Sequence, residues 1–512
     1  MSHKLIPLRV DRILGDRPFA EVGDPVLAVD DERRNLLAVA GSFDEVGCFA
    51  PIGVYDLDDL TCRALTRARY PVYAMAFHSR HPLLAIGTGR YDGGYSFQGE
   101  LLLLDLETRM TRSLFEGAMG REVLGLEWLS DRELRVLMAP PDDYNDKSAW
   151  EEGHVVVISR PDWRSVPAGS ITGHEQAGPR VAAPRPYGRA DAHRRVSALT
   201  SRWDRRRNIR AVEELADGRV VATLDDVQLE SWLPSGQRQW VVRGEDCGGR
   251  DIVVAPDERS AWIACLWSGR EHEPQLIVQL SLEDGTQLDC SADSRPATLV
   301  RCADGLPALA PEGSNGVRSR LHIRRGSRIY FYEIADRQGE LTSIDEIEIW
   351  LDAVDLETIS AADRPREPGR AESVRLFPYS WIPSETHFAG PGVETADGDL
   401  VYAGTVYHGH GLQPGGSFIV RRKATTGKPT WIFRTDHKST ALDADANTVF
   451  VTYDDGELVL LDLRSGTVVS RGSLVVADVP VVATALTVTG PGRLLIGTSD
   501  GRILVCSVRA ES

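Results

Sequence analysis

The chain has 512 residues, an apolar fraction of 42% and a formal net charge of −17. The apolar fraction is enough for a large packed core, and the length suits either several domains or one large repeat domain. A charge this negative argues against nucleic-acid binding by the protein as a whole, although a local basic patch is compatible with it. No segment approaches the roughly 18 consecutive apolar residues that a membrane helix needs, so we expect no membrane partner.

The seven cysteines are scattered along the chain and form no C-x-x-C pair. An odd number with loose spacing is typical of free thiols in a reducing compartment. The first ten residues contain no continuous apolar run, so we expect no signal peptide. Together these features predict a cytoplasmic protein.

The clearest pattern is a strand–turn–strand unit that occurs twice near the C terminus, at 447–470 and 492–508. In each copy an apolar run is followed by an Asp-Gly turn and by a second apolar run. The unit recurs far upstream, because segment 99–106 differs from segment 456–463 at one position only. These two segments, 357 residues apart, are therefore expected to occupy the same place in a repeat.

Extending this match along the chain divides it into nine candidate units with a period of about 40–50 residues. Each unit would contain three or four short strands joined by Gly, Asp and Ser turns. One such unit cannot bury both of its faces, so neighbouring units must stack, and stacking around a ring gives a β-propeller. The units lie at about 24–66, 71–115, 122–163, 209–244, 251–289, an irregular stretch at 298–380, 385–435 and the two C-terminal copies.

The predicted fold is therefore all-β, a β-propeller of about eight four-stranded blades, with seven or nine as the alternatives. We treat residues 1–512 as one propeller domain with insertions near 140–152, 165–208 and 298–380. The N-terminal run at 5–14 is a spare strand without a hairpin partner. We predict that it completes the last blade and so protects both termini and an open sheet edge.

Two C-terminal motifs resemble a known family. Thr-Thr-Gly-Lys-Pro-Thr-Trp-Ile-Phe at 425–433 resembles the Thr-Gly-Lys…Trp turn and strand of quinoprotein (pyrroloquinoline-quinone-like) repeats, and Leu-Asp-Leu-Arg-Ser-Gly at 461–466 resembles the turn that precedes it. The N-terminal units resemble bacterial WD40-type repeats. The resemblance implies a propeller fold rather than an activity. Quinoprotein dehydrogenases carry adjacent cysteines at the cofactor site and this chain has none adjacent, so we expect no cofactor.

The segment between the third and fourth units is strongly basic. From Arg180 to Arg210 it has ten arginines and two acidic residues, a local excess of about +8. We expect a mobile loop that docks on an acidic protein surface or on a nucleic-acid backbone, where Trp203 could stack on a base. The alternative is a solvated insertion paired with the protein's own acidic surface. The candidate partner-binding residues in this segment are Arg194, Arg195, Arg202, Trp203, Arg205, Arg206 and Arg207.

A second insertion, Pro-Pro-Asp-Asp-Tyr-Asn-Asp-Lys-Ser-Ala-Trp-Glu-Glu at 140–152, interrupts the middle hairpin of the third unit. Its three aspartates and one asparagine are the ligand types that Ca²⁺ prefers, but they lack the D-x-D-x-D-G spacing of a calcium loop. We therefore expect a solvated loop in which Tyr144 and Trp150 contact a partner.

Histidines provide the remaining candidates for chemistry. His408 and His410 would begin a zinc site, but the sequence specifies no third ligand. A Ser–His–Asp triad could use His78 or His174, but no G-x-S-x-G nucleophile elbow supports it. We therefore predict no metal site and no catalytic residue.

These features favour a non-enzymatic scaffold that holds one or more proteins, as an accessory subunit of a bacterial multiprotein system. One alternative is an enzyme or small-ligand binder that uses the central funnel of the propeller. Another is nucleic-acid contact through the arginine-rich segment at 180–210. A scaffold should expose a contiguous aromatic or apolar patch, whereas an enzyme should gather acids and histidines with shifted pKa values at one mouth of the channel.

Overall fold

The structure is a computed structural model, and the following account refers to the residues that it describes. These are residues 8–44, 46–115, 120–144, 146–183, 188–244, 247–267, 275–293, 297–301, 307–311, 319–325, 328–335, 348–355, 386–408, 411–423, 429–477 and 479–508.

The chain forms two compact units. Unit 1 contains residues 1–15 and 206–512, and unit 2 contains residues 16–205. In the sequence, unit 2 is thus inserted between the first strand and the remainder of unit 1. The expectation that residues 1–512 form one propeller domain stays a prediction.

Unit 2 contains three four-stranded antiparallel sheets and one α-helix. A small hairpin of β8 (Arg90–Tyr91) and β9 (Phe97–Gly99) lies in the connection between the second and third strands of the second sheet and pairs with β12 (Gly120–Arg121). The elements are β2 (Pro25–Asp31), β3 (Leu36–Gly41), β4 (Ala50–Asp56), β5 (Cys62–Ala68), β6 (Val72–Phe77), β7 (Leu83–Thr88), β8 (Arg90–Tyr91), β9 (Phe97–Gly99), β10 (Leu101–Asp105), β11 (Thr111–Ser113), β12 (Gly120–Arg121), β13 (Val123–Trp128), β14 (Glu133–Met138), β15 (Glu152–Ser159), β16 (Arg180–Ala182), α1 (Arg189–Leu199), and single 3₁₀ turns at Ala20–Val22, Trp163–Ser165 and Gly173–Gln176.

In unit 1, the described strands form five four-stranded sheets together with smaller pairings. Strand order within the four-stranded sheets follows the sequence, apart from the last sheet. The strands are β1 (Leu8–Leu14), β17 (Ile209–Glu214), β18 (Val220–Leu224), β19 (Val227–Trp232), β20 (Arg238–Val242), β21 (Cys247–Val254), β22 (Ser260–Trp267), β23 (Gln275–Ser281), β24 (Gln287–Asp293), β25 (Ala297–Arg301), β26 (Pro307–Pro311), β27 (Ser319–Arg325), β28 (Arg328–Ala335), β29 (Glu348–Asp355), β30 (Thr386–Glu394), β31 (Leu400–His408), β32 (Gly411–Arg422), β33 (Pro429–Thr435), β34 (Ser439–Ala444), β35 (Thr448–Tyr453), β36 (Glu457–Asp462), β37 (Val468–Ser473), β38 (Val475–Val476), β39 (Val479–Pro480), β40 (Ala483–Gly490), β41 (Arg493–Thr498) and β42 (Ile503–Val508).

The all-β propeller prediction is confirmed, with eight four-stranded antiparallel blades among the described strands. The repeat that revealed them also lies where it was expected, because β10 and β36 are both the third strand of their blade. Each ends in an aspartate, Asp105 or Asp462, whose side-chain oxygen accepts hydrogen bonds from two main-chain N–H groups of the following turn. The recurring Leu-Asp sequence is therefore a strand end followed by a side-chain-capped turn.

The prediction that the N-terminal strand completes the last blade is also confirmed. β1 pairs antiparallel with β42, from Leu8 opposite Val508 to Leu14 opposite Ile503, and makes a four-stranded sheet with β40 and β41. Leu8, Val10 and Ile13 pack against apolar residues of the last two blades, whereas Leu14 is buried in the cluster that the last blade shares with the blade of β17–β20. The outer edge of β42 is thereby covered.

The last blade packs on the blade of β17–β20, a neighbour that we did not predict. Ile209 and Val212 of β17 share one buried cluster with Ala485 and Leu495 of the last blade. The hydroxyl of Thr484 also donates a 2.7 Å hydrogen bond to the main-chain oxygen of Ile209. These contacts join segments about 275 residues apart in the sequence, a distance over which local sequence patterns carry no information.

Two tryptophans also connect neighbouring blades, each through an indole hydrogen bond and a ring contact with a glycine. Trp431 in β33 donates its indole N–H to the main-chain oxygen of Leu463, 2.9 Å away, and its ring lies against Gly466. Trp240 in β20 donates to the oxygen of Glu283 at 3.1 Å and lies against Gly285. Both contacts connect the fourth strand of one blade to the turn after the third strand of the next blade.

Two details differ from the sequence analysis. The arginine-rich segment was expected to be a mobile loop, but it contains α1 and also β16, the fourth strand of the third blade. In the irregular stretch at 298–380, the two predicted strands are present as β28 and β29, while most of the rest lies outside the described residues. Among the described residues, no helix is both long and apolar enough to cross a membrane.

Candidate partner-binding surface

A group of exposed aromatic side chains in unit 2 is the strongest candidate site, and it is built on the hairpin β8–β9. Asp92 shapes the turn of this hairpin, because its Oδ1 accepts hydrogen bonds from the N–H groups of Gly94, Tyr95 and Ser96 at 2.8–2.9 Å. The bond from Ser96 contributes most to lowering the pKa of Asp92. The turn therefore stays formed at neutral pH and presents Tyr95 in a defined position.

The insertion at 140–152 lies directly against this hairpin. The N–H of Phe97 donates to the main-chain oxygen of Pro141 at 3.1 Å, and the N–H of Asp143 donates to that of Tyr95 at 2.9 Å. A further bridge pairs Ser96 with Asp142. The insertion is thus fixed to a neighbouring blade by main-chain hydrogen bonds, which hold a loop more firmly than side-chain contacts alone.

Small and aromatic residues form a buried base beneath the two segments. Phe97 is buried together with Leu124, Ala139, Ala149 and Ala183. Because these side chains are buried against one another, the residues above them have few alternative positions.

Three large side chains project from the base into solvent. Tyr95, Tyr144 and Trp150 are 59%, 66% and 46% exposed. The rings of Tyr95 and Tyr144 meet edge to face with centroids 5.5 Å apart, and Trp150 lies 4.8 Å from Tyr91 and 5.0 Å from Phe97. We call Tyr91, Tyr95, Tyr144 and Trp150 the aromatic patch. Exposed aromatic clusters of this kind are typical of protein-interaction surfaces.

Asp143 connects the two halves of the aromatic patch. Its Oδ2 lies 3.0 Å from the Tyr91 hydroxyl and 3.3 Å from the indole nitrogen of Trp150, both of which are donors. Desolvation raises the pKa of Tyr91, and the nearby Asp143 carboxylate raises it further. The tyrosine therefore stays protonated at neutral pH and keeps its hydrogen-bond donor.

Acidic residues surround the aromatic patch. The insertion at 140–152 carries five acidic residues and one lysine. Asp146 is paired with Arg180 at 2.8 Å, and this hydrogen bond is the main cause of its lowered pKa. Arg180 also lies 3.0 Å from Glu152. The five acids are therefore set against Lys147 and Arg180, and the rim keeps a net negative charge, which favours a cationic partner and disfavours a phosphate backbone.

The aspartates of the insertion form hydrogen bonds with nearby groups and do not converge on a common position for a metal ion. Asp142 accepts from the N–H of Tyr144, and Asp146 accepts from Ser148 and pairs with Arg180.

Among the described residues, the group that could supply three metal ligands is His437, Asp454 and Asp455 in unit 1. There the Nδ1 of His437 lies 3.3 Å from Asp454 and its Nε2 lies 3.4 Å from Asp455. The imidazole therefore bridges the two carboxylates, and only one ring nitrogen at a time could face a shared ion.

The arginine-rich segment pairs largely with its own unit. Helix α1 lies on β2, where the buried carboxylate of Asp24 accepts a 2.7 Å hydrogen bond from the Nε2 of His193. Arg189 and Arg205 lie 3.7 and 3.6 Å from the same carboxylate. The ring of Trp203 packs 5.3 Å from that of His193. Trp203 thus packs against α1 and is only partly exposed.

The remaining candidate arginines fall into two groups. Arg194 pairs with Asp191 and Arg195 with Asp30 on the surface of unit 2, and Arg202 is exposed. In unit 1, Arg207 lies 3.2 Å from Asp225. These ion pairs match the alternative reading, in which the segment is paired with the protein's own acids. Partner binding by these surface residues stays a prediction.

Arg206 needs a correction, because it is not a surface residue. It is only 2% exposed, and both terminal nitrogens of its guanidinium donate to the carboxylate of Glu230, which is fully buried. Its Nε donates to the main-chain oxygen of Gly501 at 2.8 Å. Arg206 therefore connects the blade of β17–β20 with the last blade, and its side chain cannot contact a partner.

The candidate catalytic histidine His78 also has a structural position. It is fully buried, and its Nδ1 accepts from the N–H groups of Arg80 and His81, both at 3.0 Å. Its Nε2 lies 3.1 Å from the main-chain oxygen of Asp131 and must therefore carry the proton. Burial lowers the pKa of His78, which keeps the ring neutral. His410 lies outside the described residues, as do the side chains of His408 and His174.

The sequence predicted Tyr144 and Trp150 as partner contacts, but it did not predict Tyr91, Tyr95 or Asp143 as their neighbours. The missing signal was the Tyr-Asp-Gly-Gly-Tyr turn at 91–95, which has the composition of a tight hairpin with two aromatic residues. Its importance depends on contact with the insertion about 50 residues later, which the sequence does not reveal.

Comparison with known proteins leaves the family open. No known protein family matches the sequence, and no curated protein matches it. Similar solved structures include BamB from Moraxella catarrhalis, which is 11% identical with a TM-score of 0.26 over 99% of both chains. The WD40 β-propeller domain of Doa1 is 10% identical with a TM-score of 0.35 and covers 59% of this chain and 93% of its own. The fold assignment rests on the strand pairing of this chain itself.

Proposed function

We propose that the protein is a non-enzymatic propeller scaffold whose aromatic patch binds a basic segment of a partner protein. The observation that supports this proposal most directly is the exposure of Tyr95, Tyr144 and Trp150 on a rigid base. Exposed rings normally cost solubility, and they are retained where a partner covers them.

The chemistry of the surface favours arginine or lysine as the group it binds. A guanidinium over an exposed aromatic ring gains about 0.5–1 kcal/mol, and more when a partner excludes water. The acidic rim adds electrostatic attraction that accelerates association and rejects anionic partners. Tyr and Trp are also the side chains that most often dominate the binding energy of an interface.

The finer expectations from the sequence belong to the same proposal. We propose that the protein is an accessory subunit of a bacterial multiprotein system in the cytoplasm, with blades of the quinoprotein-like and WD40-like kinds. The contact of Trp431 with Gly466 supports the first kind, since both residues belong to the motifs that carry that resemblance. The six described cysteines are free thiols, which agrees with a reducing compartment.

The test is a binding titration of the full chain with a fluorescent peptide of six Arg-Gly repeats. We expect a variant with both Tyr144→Ser and Trp150→Ser to bind at least about tenfold more weakly, because loss of two interface aromatics typically costs more than 1.4 kcal/mol. Met110→Ser is the matched control, since Met110 is equally exposed, at 64%, but lies outside the aromatic patch.

The Met110→Ser control distinguishes binding at the aromatic patch from unspecific attraction of the peptide to a negatively charged protein. Purely electrostatic binding would be equally strong in all three proteins, and that result would refute the proposal. A peptide of six Glu-Gly repeats should not bind to any of them. The same variants should then be compared in affinity capture from the native cells, where the partner recovered by the unaltered protein should be lost with the double variant only.

A further inference from the structure

The third blade of unit 2 has an incomplete fourth strand. β15 has eight residues, but β16 pairs only with Glu152, Gly153 and His154. The next main-chain bond on that side runs from the N–H of Val155 to the oxygen of Pro179, 3.1 Å away. Beyond this point the chain of residues 160–179 leaves the edge of β15 and packs elsewhere in the unit.

The second half of β15 therefore has an open edge. Along an antiparallel strand, main-chain groups point alternately to the two neighbouring strands. Because the N–H of Val155 points outward, the N–H and C=O of Val157 and the N–H of Ser159 point outward as well. Among the described residues, no main-chain group pairs with them on that side. The intervening residues Val156 and Ile158 face β14 on the inner side.

A groove runs along this open edge. Its volume is about 550 Å³, and it is bounded by Val155–Arg160 on one side and by residues near Glu175 and Pro179 on the other. The far wall is held in place by the near one, because Arg160 at the end of β15 pairs with Glu175 at 2.6 Å and also donates to the main-chain oxygen of Ser170. Arg160 and Glu175, one from each wall, neutralise each other. Val157 projects from the edge with 52% of its surface exposed.

We propose that this groove binds an extended, uncharged peptide segment of a partner protein, which pairs with β15 as its missing fourth strand. The unpaired main-chain groups define the ligand, since an extended main chain supplies the complementary donors and acceptors. The open edge spans residues 156–159, about 13 Å at 3.3 Å per residue, so four or five residues fill it. A β-branched or aromatic residue placed opposite Val157 would form a favourable cross-strand pair.

This site is separate from the aromatic patch in both place and chemistry. The patch offers rings and carboxylates to a cation, whereas the groove offers main-chain hydrogen bonds and a neutral wall. Natural proteins usually protect an open edge with charged residues or prolines, but Val156 to Ile158 contain neither. An edge left unprotected inside a groove is the arrangement that strand addition requires.

The experiment is hydrogen–deuterium exchange of the full chain, followed at segment 152–162. The probe is a capped peptide of three Thr-Val repeats at millimolar concentration. We expect it to slow exchange in this segment about tenfold, since paired edge amides are protected. The same peptide with an N-methyl group on every residue has no N–H to donate, cannot form the ladder and should have no effect.

Two variants complete the test. Val157→Pro removes the outward N–H and should abolish the protection, whereas Val157→Thr keeps the N–H and the branched side chain and should retain it. If Val157→Pro perturbs folding, the N-methylated peptide still decides the outcome. Equal protection by both peptides, or none by either, would overturn the proposal. The double variant with Tyr144→Ser and Trp150→Ser should keep full protection, which separates this site from the aromatic patch.

Discussion

The indole ring of Trp431 fills the space next to Gly466 so closely that a Cβ atom at Gly466 would lie 2.5 Å from it. Gly466 also has a φ of +70°, a conformation that L side chains rarely adopt. The indole N–H donates to Leu463 in the same turn. One contact thus joins two blades through packing, backbone conformation and a hydrogen bond.

Replacing Gly466 with alanine should destabilise unit 1 strongly. The left-handed conformation alone costs an alanine about 1–2 kcal/mol, and displacement of the Trp431 ring adds to that cost. The matched control is Gly492→Ala, where φ is +66° but the nearest atom to a Cβ, the main-chain oxygen of Val508, is 3.2 Å away. Thermal unfolding should show a larger decrease for Gly466→Ala, and equal decreases would contradict the importance of the ring contact.

The hydrogen bond of Trp431 can be tested separately from its packing. Trp431→Phe keeps an aromatic ring but removes the donor to Leu463, so we expect a cost of about 1 kcal/mol for the lost bond. Trp431→Ala also removes the buried ring, and such truncations typically cost about 3–5 kcal/mol. Midpoints of urea unfolding should rank the proteins in that order. A Phe variant as unstable as the Ala variant would mean that the hydrogen bond outweighs the packing.

Arg206→Met should be among the most destabilising single changes in the chain. It would leave the fully buried Glu230 with its next cation, Arg238, 3.9 Å away. Removing one partner of a buried ion pair typically costs about 3–5 kcal/mol. Arg194→Met is the control, because that residue and its partner Asp191 are 78% and 72% exposed, and surface pairs contribute about 0–1 kcal/mol. Similar urea midpoints for both variants would contradict the assignment of Arg206 to the core.

Asp143 should be required for the order of the aromatic patch. Asp143→Ala removes the acceptor of both Tyr91 and Trp150, so Trp150 should become mobile and binding of the Arg-Gly peptide should weaken. Asp143→Asn retains an acceptor oxygen and should weaken binding less. The ¹⁹F resonance of fluorotryptophan at position 150 reports ring motion directly. Unchanged motion in the Ala variant would show that packing on Phe97 alone positions the ring.

Two aspartates in unit 1 should change stability with pH in opposite directions. Burial raises the pKa of Asp443, so its folded form holds a proton more tightly than its unfolded form. Its ionisation therefore removes stability as pH rises from about 4 through the raised pKa. The difference in thermal unfolding midpoint, Asp443→Asn minus the unaltered protein, should therefore be more positive at pH 7 than at pH 3.5.

Asp462 provides the opposite case. A hydrogen bond from the Ser465 side chain, followed by one from its main-chain N–H, lowers the pKa of Asp462. This carboxylate adds stability above its unfolded pKa and loses it as pH falls through the lowered value. For Asp462→Asn the same difference in unfolding midpoint should therefore be more negative at pH 7 than at pH 3.5. The same sign for both substitutions would contradict the assigned environments.

The sequence by itself determined most of the blades, because alternation and turn chemistry act over a few residues. The units beginning near residues 24, 71 and 209 are blades, and the run at 5–14 contains β1, which completes the last blade. Tyr144 and Trp150 were also predicted from the polar loop that carries them; both are exposed, and their contact with a partner stays a prediction.

Tertiary structure decided the features whose partners are distant in the sequence. The arginines from 194 to 207 looked free because their acids, such as Asp30 and Glu230, lie 165 and 24 residues away. Helix α1 has little amphipathic pattern, and its position depends on His193 and the buried Asp24. Which blade neighbours the last one, and how the insertion at 140–152 meets the hairpin β8–β9, depend likewise on packing between segments that local periodicity cannot relate.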